Sequence, residues 1–412
     1  MVEQQLAIHG GPPVKTEPFG TGKRFGLEEA KELLEALEQD TLFYHAGRKV
    51  KQFLNDFNAL YGIPYSVATS SGTAAIHVAL GAAGVSVGDE VITSPITDQG
   101  TVIGILYQNA IPVFADLDPH TYCLDPRSVE SRITPRTKAI VVVHLAGNPT
   151  DMDPIMAIAE RHGLKVIEDC AQSYLAKYKG RYVGTIGHYG CFSTNDFKHI
   201  STGDGGIVTV NSGNASDYET VHAFADKNYR RLGSAVSRDI DGLAPNYRMT
   251  ELQGAVGIAQ LKKLPWICAT RQRHGERITS GIRGLPGIAV PLVTEGATNT
   301  CWFYMLRLQV EALTCTREAF SQALLAEGIP NGAGYIRHAV YMSPLFQERS
   351  AYAGSHFPFE LTDIAYGAGL CPVAEDILRT AVTLPIKEFY TDTDIDEIVA
   401  AIRKVSLHFG KK

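Results

Sequence analysis

Short apolar runs alternate with segments of helical periodicity through the first half of this chain, and this alternation most limits the fold. The run Ala139-Ile140-Val141-Val142-Val143 is typical, because it contains no polar residue. Uninterrupted apolar strands indicate a sheet that helices cover on both faces, as in mainly parallel sheets. We therefore predict an α/β fold: a three-layer large domain with a mainly parallel, mixed sheet. Strands are predicted over 66–69, 90–93, 112–115, 139–145, 165–169, 191–193 and 206–210, and helices over 73–82, 99–109, 126–132 and 153–162.

Two domains are predicted, because 412 residues exceed a typical single core. Thr250-Glu251-Leu252-Gln253 is a capping box that opens a helix to about residue 264, and Pro265 then closes the large domain. The large domain would span 1–264, with an irregular arm over 1–25, and a smaller α+β domain would span 265–412. In the large domain, amphipathic helices are also predicted over 47–61 and over 27–38, where Leu27, Ala30, Leu33, Leu34 and Leu37 recur at helical spacing. In the small domain, we predict a strand over 302–310, a helix over 316–327, and a last helix capped at Thr393 and running to about Val405.

Composition and charge favour an ordinary cytoplasmic enzyme. A net charge of −6 and a pI near 6.1 argue against nucleic acid or an anionic membrane as the main partner. No apolar run approaches the length of a membrane span, and the N-terminus lacks the pattern of a secretory signal. The seven cysteines form no C-x-x-C pair, which favours reduced thiols in the cytoplasm. No metal-ligand spacing is present, so no metal site is predicted.

An acid and an amine are predicted to meet at one edge of the sheet. Asp169 ends the strand 165–169, and Lys198 follows the strand 191–193 after one excursion of the chain. Each residue alone also fits a plainer interpretation, because an Asp at a strand end often caps a helix and a loop Lys is usually solvated. Together they are what pyridoxal phosphate (PLP) chemistry needs. The lysine forms a Schiff base with the aldehyde, and the carboxylate keeps the pyridine nitrogen protonated.

Four motifs along the chain support this chemistry. They are Ser71-Gly72-Thr73-Ala74-Ala75, Glu168-Asp169-Cys170-Ala171-Gln172, Phe192-Ser193 followed by Lys198, and Gly203-Asp204-Gly205-Gly206. With these motifs in this order, the chain resembles the DegT/StrS-type PLP-dependent sugar aminotransferases, and the similarity extends over nearly its whole length. The resemblance implies a transferase of fold type I that acts as a homodimer with active sites at the subunit interface.

The resemblance assigns four residues to the cofactor's phosphate. Gly72 and Thr73 lie where a strand passes into a helix, and free backbone N–H groups at a helix N-terminus bind phosphate. Without the other motifs, an ordinary tight turn with a Thr N-cap is the better interpretation of this segment. Ser193 matches the family's phosphate-binding serine. Asn246 matches an asparagine that reaches the phosphate from the partner subunit, although an Asn before a helix is by itself only a turn residue.

Two further positions concern the cofactor's ring. Gln172 matches the residue that hydrogen-bonds the cofactor's 3′-oxygen in relatives, and its alternative is a Gln that caps the following loop. Asp98 stands where many relatives carry an aromatic residue that stacks on the ring. A carboxylate cannot replace an aromatic face. We therefore expect Asp98 to bind a polar group of the substrate or to orient a neighbouring residue.

A segment of the small domain resembles the family's substrate entrance. It runs from Tyr335 to Tyr341, and Arg337, His338 and Tyr341 are its candidate substrate residues. Arg337 or His338 can meet an anionic group such as a donor carboxylate or a nucleotide phosphate. A surface loop with incidental charge is an equally good interpretation of this segment.

The predicted reaction is a ping-pong transamination. Glutamate or glutamine converts the PLP bound at Lys198 to the pyridoxamine form, which then aminates a keto sugar, commonly nucleotide-linked in this family, or a cyclitol ketone. A sugar dehydratase of the same superfamily is disfavoured, since those relatives carry histidine in place of Lys198. An aromatizing aminobenzoate synthase keeps the lysine and stays open. A non-catalytic regulator would not need Lys198, Asp169 and Ser193 together, and a nicotinamide dehydrogenase would need a G-x-G-x-x-G turn that this chain lacks.

Overall fold

The fold is described by a computed structural model that covers residues 5–231, 237, 239 and 241–411. Residues 1–4 of the predicted arm lie outside these described residues. The helices are α1 Leu27–Glu38, α2 Lys49–Tyr61, α3 Gly72–Ala82, α4 Gln99–Tyr107, α5 Pro126–Ser131, α6 Met152–His162, α7 Ala215–Ala225, α8 Glu251–Ile282, α9 Arg317–Ala326, α10 Pro344–Gln347, α11 Pro372–Thr380 and α12 Asp392–Phe409. The strands are β1 Ser66–Thr69, β2 Glu90–Thr93, β3 Ile111–Phe114, β4 Thr137–Val143, β5 Lys165–Asp169, β6 Lys177–Tyr178, β7 Arg181–Tyr182, β8 Tyr189–Ser193, β9 Gly206–Val210, β10 Ile288–Ala289, β11 Ala297–Thr298, β12 Phe303–Leu308 and β13 Ala381–Pro385.

A seven-stranded sheet in the order β1-β9-β8-β5-β4-β2-β3 forms the centre of the molecule. The pairs from β8 to β3 are parallel, and β9 runs antiparallel to both of its neighbours. Helices α3 and α7 pack on one face, and α2, α6 and α8 pack on the other. The predicted α/β fold with a mainly parallel sheet is confirmed.

The direction of the strands decides where the site lies. Strands β1, β2, β4, β5 and β8 all point the same way, so their carboxyl ends meet along one border of the sheet. We call this border the strand-end edge; its strands finish at Thr69, Thr93, Val143, Asp169 and Ser193. Open α/β sheets bind ligands outside this edge.

Helix α8 corrects the prediction that the large domain's last helix ends before Pro265. The helix continues through Pro265 to Ile282. A proline inside a helix costs about 3 kcal/mol, because it removes one hydrogen bond and crowds the preceding turn. Leu264 and Ile267, on either side of the proline, are buried in the same core, and each contributes about 1.5–3 kcal/mol by its burial. Packing therefore outweighs the break that the sequence signals.

The last helix, α12, corrects a second boundary. It begins at Asp392, so Thr393 lies inside the helix and Thr391 is its N-cap. The Thr391 hydroxyl accepts from the backbone N–H of Asp394 at 3.1 Å, and the Asp394 carboxylate accepts from the backbone N–H of Thr391 at 2.7 Å. The prediction at Thr393 was wrong because Asp394, the third residue of the helix, forms the capping box with Thr391 three positions before it.

The N-terminal arm packs against the C-terminal part of the chain, although we predicted it with the large domain. Leu6 is fully buried in a core that includes Ile278 and Val405. The Lys15 ammonium lies 2.6 Å from the Asp394 carboxylate and is almost completely buried. The division into 1–264 and 265–412 stays a prediction.

Two features of the described residues concern disulfides and membrane-spanning helices. All seven cysteines lie within the described residues, and none of them forms a disulfide. Among the helices of the described ranges, none combines the length and the hydropathy that a membrane crossing requires.

Candidate active site

Asp169 is held in one orientation at the end of β5. Its side chain is buried, with 5% of the residue exposed. One carboxylate oxygen, Oδ2, accepts a hydrogen bond from the Thr101 hydroxyl at 2.8 Å, and the other, Oδ1, accepts from the backbone N–H of Ala171 at 3.1 Å. Burial raises the pKa of Asp169, while the two hydrogen bonds and the nearby Lys198 amine oppose this shift.

Lys198 lies on the loop after β8 and is also buried, with 8% exposed. Its Nζ atom is 4.2 Å from the centre of the Trp302 ring. Burial lowers the pKa of Lys198, and the carboxylates of Asp169 and Asp98 partly offset this effect. A larger share of this amine is therefore uncharged near neutral pH than of an exposed lysine, which suits a nucleophile and a proton carrier.

The loop that carries Lys198 is fixed by two residues from distant parts of the chain. The Arg24 guanidinium donates to the backbone carbonyls of Asp196 and Lys198, and also to that of His199 at 3.2 Å. The Trp302 indole N–H donates to the carbonyl of Phe197 at 2.7 Å. These bonds restrict the backbone on both sides of the reactive amine.

A cradle for an anion forms where α3 begins. The Ser71 hydroxyl caps the helix by accepting from the backbone N–H of Ala74 at 3.1 Å. The N–H groups of Gly72 and Thr73 belong to the first turn, where no helix carbonyl is available to them. A Cβ atom on Gly72 would lie only 2.6 Å from the Cβ of Ser193, so glycine allows the helix start and Ser193 to approach each other. Two backbone donors and a hydroxyl in this arrangement fit a phosphate group.

Gln172 is oriented by two contacts. Its amide oxygen accepts from the backbone N–H of Ala146 at 2.8 Å, which leaves the amide nitrogen to donate to the Tyr335 hydroxyl at 3.2 Å. Ala146 has a φ of 57°, a left-handed conformation that non-glycine residues seldom adopt. Because the amide oxygen of Gln172 is already bonded to Ala146, the side chain presents its N–H groups, and an N–H donor is what a phenolate oxygen requires.

Asp98 and Asn246 differ from the buried residues, since both are exposed. The Asp98 carboxylate caps α4 by accepting from the backbone N–H of Gly100 at 2.9 Å. Asp98 lies in the connection between the carboxyl end of β2 and α4, at the strand-end edge, and its charge raises the pKa values of Asp169 and Lys198. Asn246 lies next to Tyr247, whose carbonyl accepts from the backbone N–H of Ser70 at 2.8 Å.

The three candidate substrate residues of the small domain separate into two groups. Arg337 and His338 are exposed and accessible to a ligand. Tyr341 is completely buried, and its hydroxyl donates to the Glu375 carboxylate at 2.5 Å. Tyr341 has no surface to offer a substrate, so we remove it from the candidate site. Its place in an entrance-like segment did not reveal that it packs inward.

Four residues at the site escaped the sequence analysis as functional candidates: Thr101, Trp302, Tyr335 and Arg24. Thr101 follows Thr97 by one helical turn, and this spacing of two hydroxyls beside a strand end could have indicated it. Trp302 and Tyr335 lie far along the chain, and their ring centres are 6.0 Å apart near Lys198. No local pattern marks Arg24.

Comparisons with known proteins identify the family of this chain. The sequence profile of the DegT/DnrJ/EryC1/StrS aminotransferase family matches residues 24–403. The spore coat polysaccharide biosynthesis protein SpsC of Bacillus subtilis is 34% identical over 386 residues, which cover 92% of this chain and 95% of that protein. The L-glutamine:2-deoxy-scyllo-inosose aminotransferase of Streptoalloteichus tenebrarius is 33% identical over 436 aligned positions, covering 98% of each chain. A solved aminotransferase structure from Psychrobacter cryohalolentis has a TM-score of 0.84 and 30% identity, and covers 95% of this chain and 100% of that chain. This chain therefore belongs to the DegT/DnrJ/EryC1/StrS aminotransferase family and is a PLP-dependent aminotransferase.

Proposed function

We propose that this aminotransferase takes an amino group from glutamine or glutamate and transfers it to the ketone of a polyhydroxylated ring, either a keto sugar or a cyclitol. The observation that carries the proposal is the buried pair of Asp169 and Lys198 at the strand-end edge, beside the cradle at Gly72 and Ser193. The name of the relative that uses glutamine and a keto-inositol supports the donor and the acceptor class.

Each residue has a definite task in this proposal. PLP supplies a ring that accepts electrons when an adjacent carbon–hydrogen bond breaks. The N–H groups of Gly72 and Thr73, with the Ser193 hydroxyl, would bind its phosphate, and Gln172 would donate to its phenolic oxygen. Asp169 provides a fixed negative charge for a protonated ring nitrogen.

Lys198 would hold the cofactor's aldehyde, and its free amine would serve as the proton carrier. Burial lowers the pKa of this amine, so its Nζ can take up a proton from the donor and return it. Arg24 and Trp302 hold the surrounding loop, which keeps Nζ within a small volume.

A half-reaction assay tests this function. The purified protein, loaded with PLP, is mixed with glutamine or glutamate, and the absorbance of the bound cofactor and the release of the keto acid are followed. We expect conversion to the pyridoxamine form, and its reversal by keto sugars or cyclitol ketones. Lys198→Arg should abolish the conversion, whereas Lys179→Arg, at an exposed lysine paired with Asp153, should leave it unchanged. Absence of any spectral change with all amino donors would refute the proposal, and a product that gains no nitrogen would instead indicate the dehydratase or aromatizing chemistry.

We also infer that the working unit is a homodimer, because helix α1 is inverted relative to a typical surface helix. Three of its four leucines face outward, with Leu27 89%, Leu34 62% and Leu37 58% exposed. Two of its carboxylates, Glu29 and Glu32, are buried instead, and Glu29 lies 2.5 Å from the Lys263 ammonium. The inward ion pairs fix the orientation of the helix, so its apolar face requires a cover, and a second copy of this chain provides one.

The dimer can be tested through its apolar face. Leu34→Glu should shift the protein to a monomer in analytical ultracentrifugation, because it buries a charge in the contact. The matched control is Leu325→Glu, at a leucine of α9 that is 44% exposed. A dimer that both variants preserve would contradict the assignment of α1 to the contact.

A mixing experiment tests whether the partner subunit completes the site. Lys198→Arg and Asn246→Ala chains are combined after separate purification and assayed at low PLP concentration. If Asn246 acts in the partner's site, each mixed dimer contains one site with both residues intact, and activity returns. If the mixture is no more active than its components, Asn246 does not act across the interface.

The acceptor's form can be read from Arg337. A nucleotide-linked sugar carries a diphosphate that Arg337 or His338 can bind, whereas a free cyclitol carries none. Arg337→Gln should therefore raise the KM for a nucleotide-linked acceptor about tenfold and leave the KM for a cyclitol unchanged.

The unpaired cysteines agree with a reducing compartment, and we propose the cytoplasm as the place of action.

A further inference from the structure

A chain of two hydroxyl groups leads to the Asp169 carboxylate. The Thr97 and Thr101 hydroxyl oxygens are 2.7 Å apart, and the Thr101 hydroxyl lies 2.8 Å from Oδ2 of Asp169. Thr97 and Thr101 are each 1% exposed, and Asp169 is 5% exposed. Bulk water is therefore excluded from these groups.

The local fold holds this hydroxyl chain in place. Thr97 comes directly before Asp98, the N-cap of α4, and Thr101 is the third residue of that helix, so the helix start brings the two hydroxyls together. Asp98 fixes the turn between them, because its carboxylate accepts the backbone N–H of Gly100. The geometry thus depends on a capped helix start, a rigid element at the strand-end edge.

The chemistry of the groups sets the direction of the hydrogen bonds. An ionised carboxylate can only accept, so Thr101 must donate its single hydroxyl proton to Asp169. The proton of Thr97 is then the one that lies between the two threonines, and it points toward Thr101. Each bond polarises the next, and the chain therefore favours a negative charge on Asp169.

We propose that Thr101, supported by Thr97, is a positioning residue that keeps Asp169 ionised and correctly aimed, so that the ring nitrogen of bound PLP holds its proton. This inference rests on the role that the proposed function gives to Asp169. It assigns a supporting role in catalysis to Thr97 and Thr101, and neither residue touches the reacting atoms.

The charges around Asp169 explain why such support is needed. Burial raises the pKa of this carboxyl group, and the negative charge of Asp98 acts in the same direction. The Lys198 amine acts in the opposite direction, but its own pKa is lowered by burial. Among neutral groups, Thr101 and the backbone N–H of Ala171 stabilise the ionised form. Loss of the Thr101 hydroxyl would remove one of these two donors.

The direct test measures the proton on the ring nitrogen. PLP labelled with ¹⁵N in its ring is bound to the protein, and the ¹⁵N chemical shift is recorded against pH. In the Thr101→Val holoenzyme the ring nitrogen should lose its proton at a lower pH than in the parent, and the half-reaction with glutamine should slow about 10- to 100-fold. Thr101→Ser should restore both properties. Thr97→Val should also lower the pH at which the ring nitrogen loses its proton, but by a smaller amount.

One control and one alternative test variant make the outcome decisive. Thr93→Val removes a buried hydroxyl that donates to the Val141 carbonyl at 3.1 Å, and it should leave the ¹⁵N titration as in the parent. If Thr101→Val does not fold, Thr97→Val carries the test. A parent-like ¹⁵N titration in both variants would overturn the inference, even if their activity fell. The proposed function fails separately, through the absence of an amino-donor half-reaction in the parent protein.

Discussion

The substitution Gly72→Ala tests the cofactor cradle through a distance that the structure supplies. The new methyl group would lie 2.6 Å from Cβ and 3.0 Å from Oγ of Ser193, whereas ordinary contacts begin near 3.4 Å. The helix start and the strand end must therefore separate by nearly 1 Å. Overpacking of this kind costs about 1–3 kcal/mol, and the better helix propensity of alanine returns less than about 1 kcal/mol. We expect the apoprotein to lose at most about 3 kcal/mol of its free energy of unfolding.

The same displacement should weaken PLP binding more than it weakens the fold. It moves the N–H donors of the helix start away from Ser193, so at least one hydrogen bond to the phosphate is lost. A hydrogen bond to a charged group contributes about 1.5–3 kcal/mol, which predicts a Kd for PLP about 10- to 100-fold higher.

Titration of the apoprotein with PLP, followed by fluorescence, measures this Kd, and urea unfolding measures stability in parallel. Gly367→Ala is the matched control, because its added Cβ meets no atom within 4 Å. Folded Gly72→Ala protein that binds PLP as tightly as the control would refute the cradle.

Three further predictions concern stability and pH. Burial alone would raise the pKa of Asp394, but the hydrogen bond from Lys15 and three others hold it at about 2, against 3.8 in the unfolded chain. The contribution of the ionised Asp394 carboxylate to the free energy of unfolding is therefore complete above pH 4 and is lost as the pH falls toward 2. Asp394→Asn should cost about 2 kcal/mol at pH 7, and urea unfolding should show a weaker loss of stability in acid than in the parent. Glu251→Ala should cost about 1–3 kcal/mol in the same assay, since this buried carboxylate accepts the first two backbone N–H groups of α2 at 2.7 and 3.1 Å; unchanged stability would contradict that role. The Trp302 ring favours the charged form of Lys198 by about 0.5–1 kcal/mol. Trp302→Leu should therefore move the rise of the half-reaction rate with pH to lower pH, and a move to higher pH would disprove this contact.

The central sheet and the motifs at its edge could be predicted because their signals are local. Each buried strand is a short apolar run, and the functional residues follow such runs directly, as Asp169 and Ser193 do. The direction of parallel strands then brings those residues to one edge without any knowledge of side-chain packing. The site residues that the sequence identified are mostly those that come directly after a strand.

The features that escaped prediction depend on contacts between distant segments. Pro265 signals a helix end, but packing on both sides of it sustains α8. Helix α1 has a regular apolar stripe, yet only the ion pairs beneath Glu29 and Glu32 reveal that the stripe faces outward. Arg24 and Trp302 reach the Lys198 loop from opposite parts of the chain, and no spacing in the sequence could associate them.

The identity of the residue that links the cofactor is the claim on which the other functions depend. Reduction of the PLP-loaded protein with borohydride, followed by proteolysis and mass spectrometry, locates the pyridoxyl group on a single peptide. We expect the group on Lys198, in a stoichiometry near one per chain. A pyridoxyl group on another lysine, or on none, would contradict it.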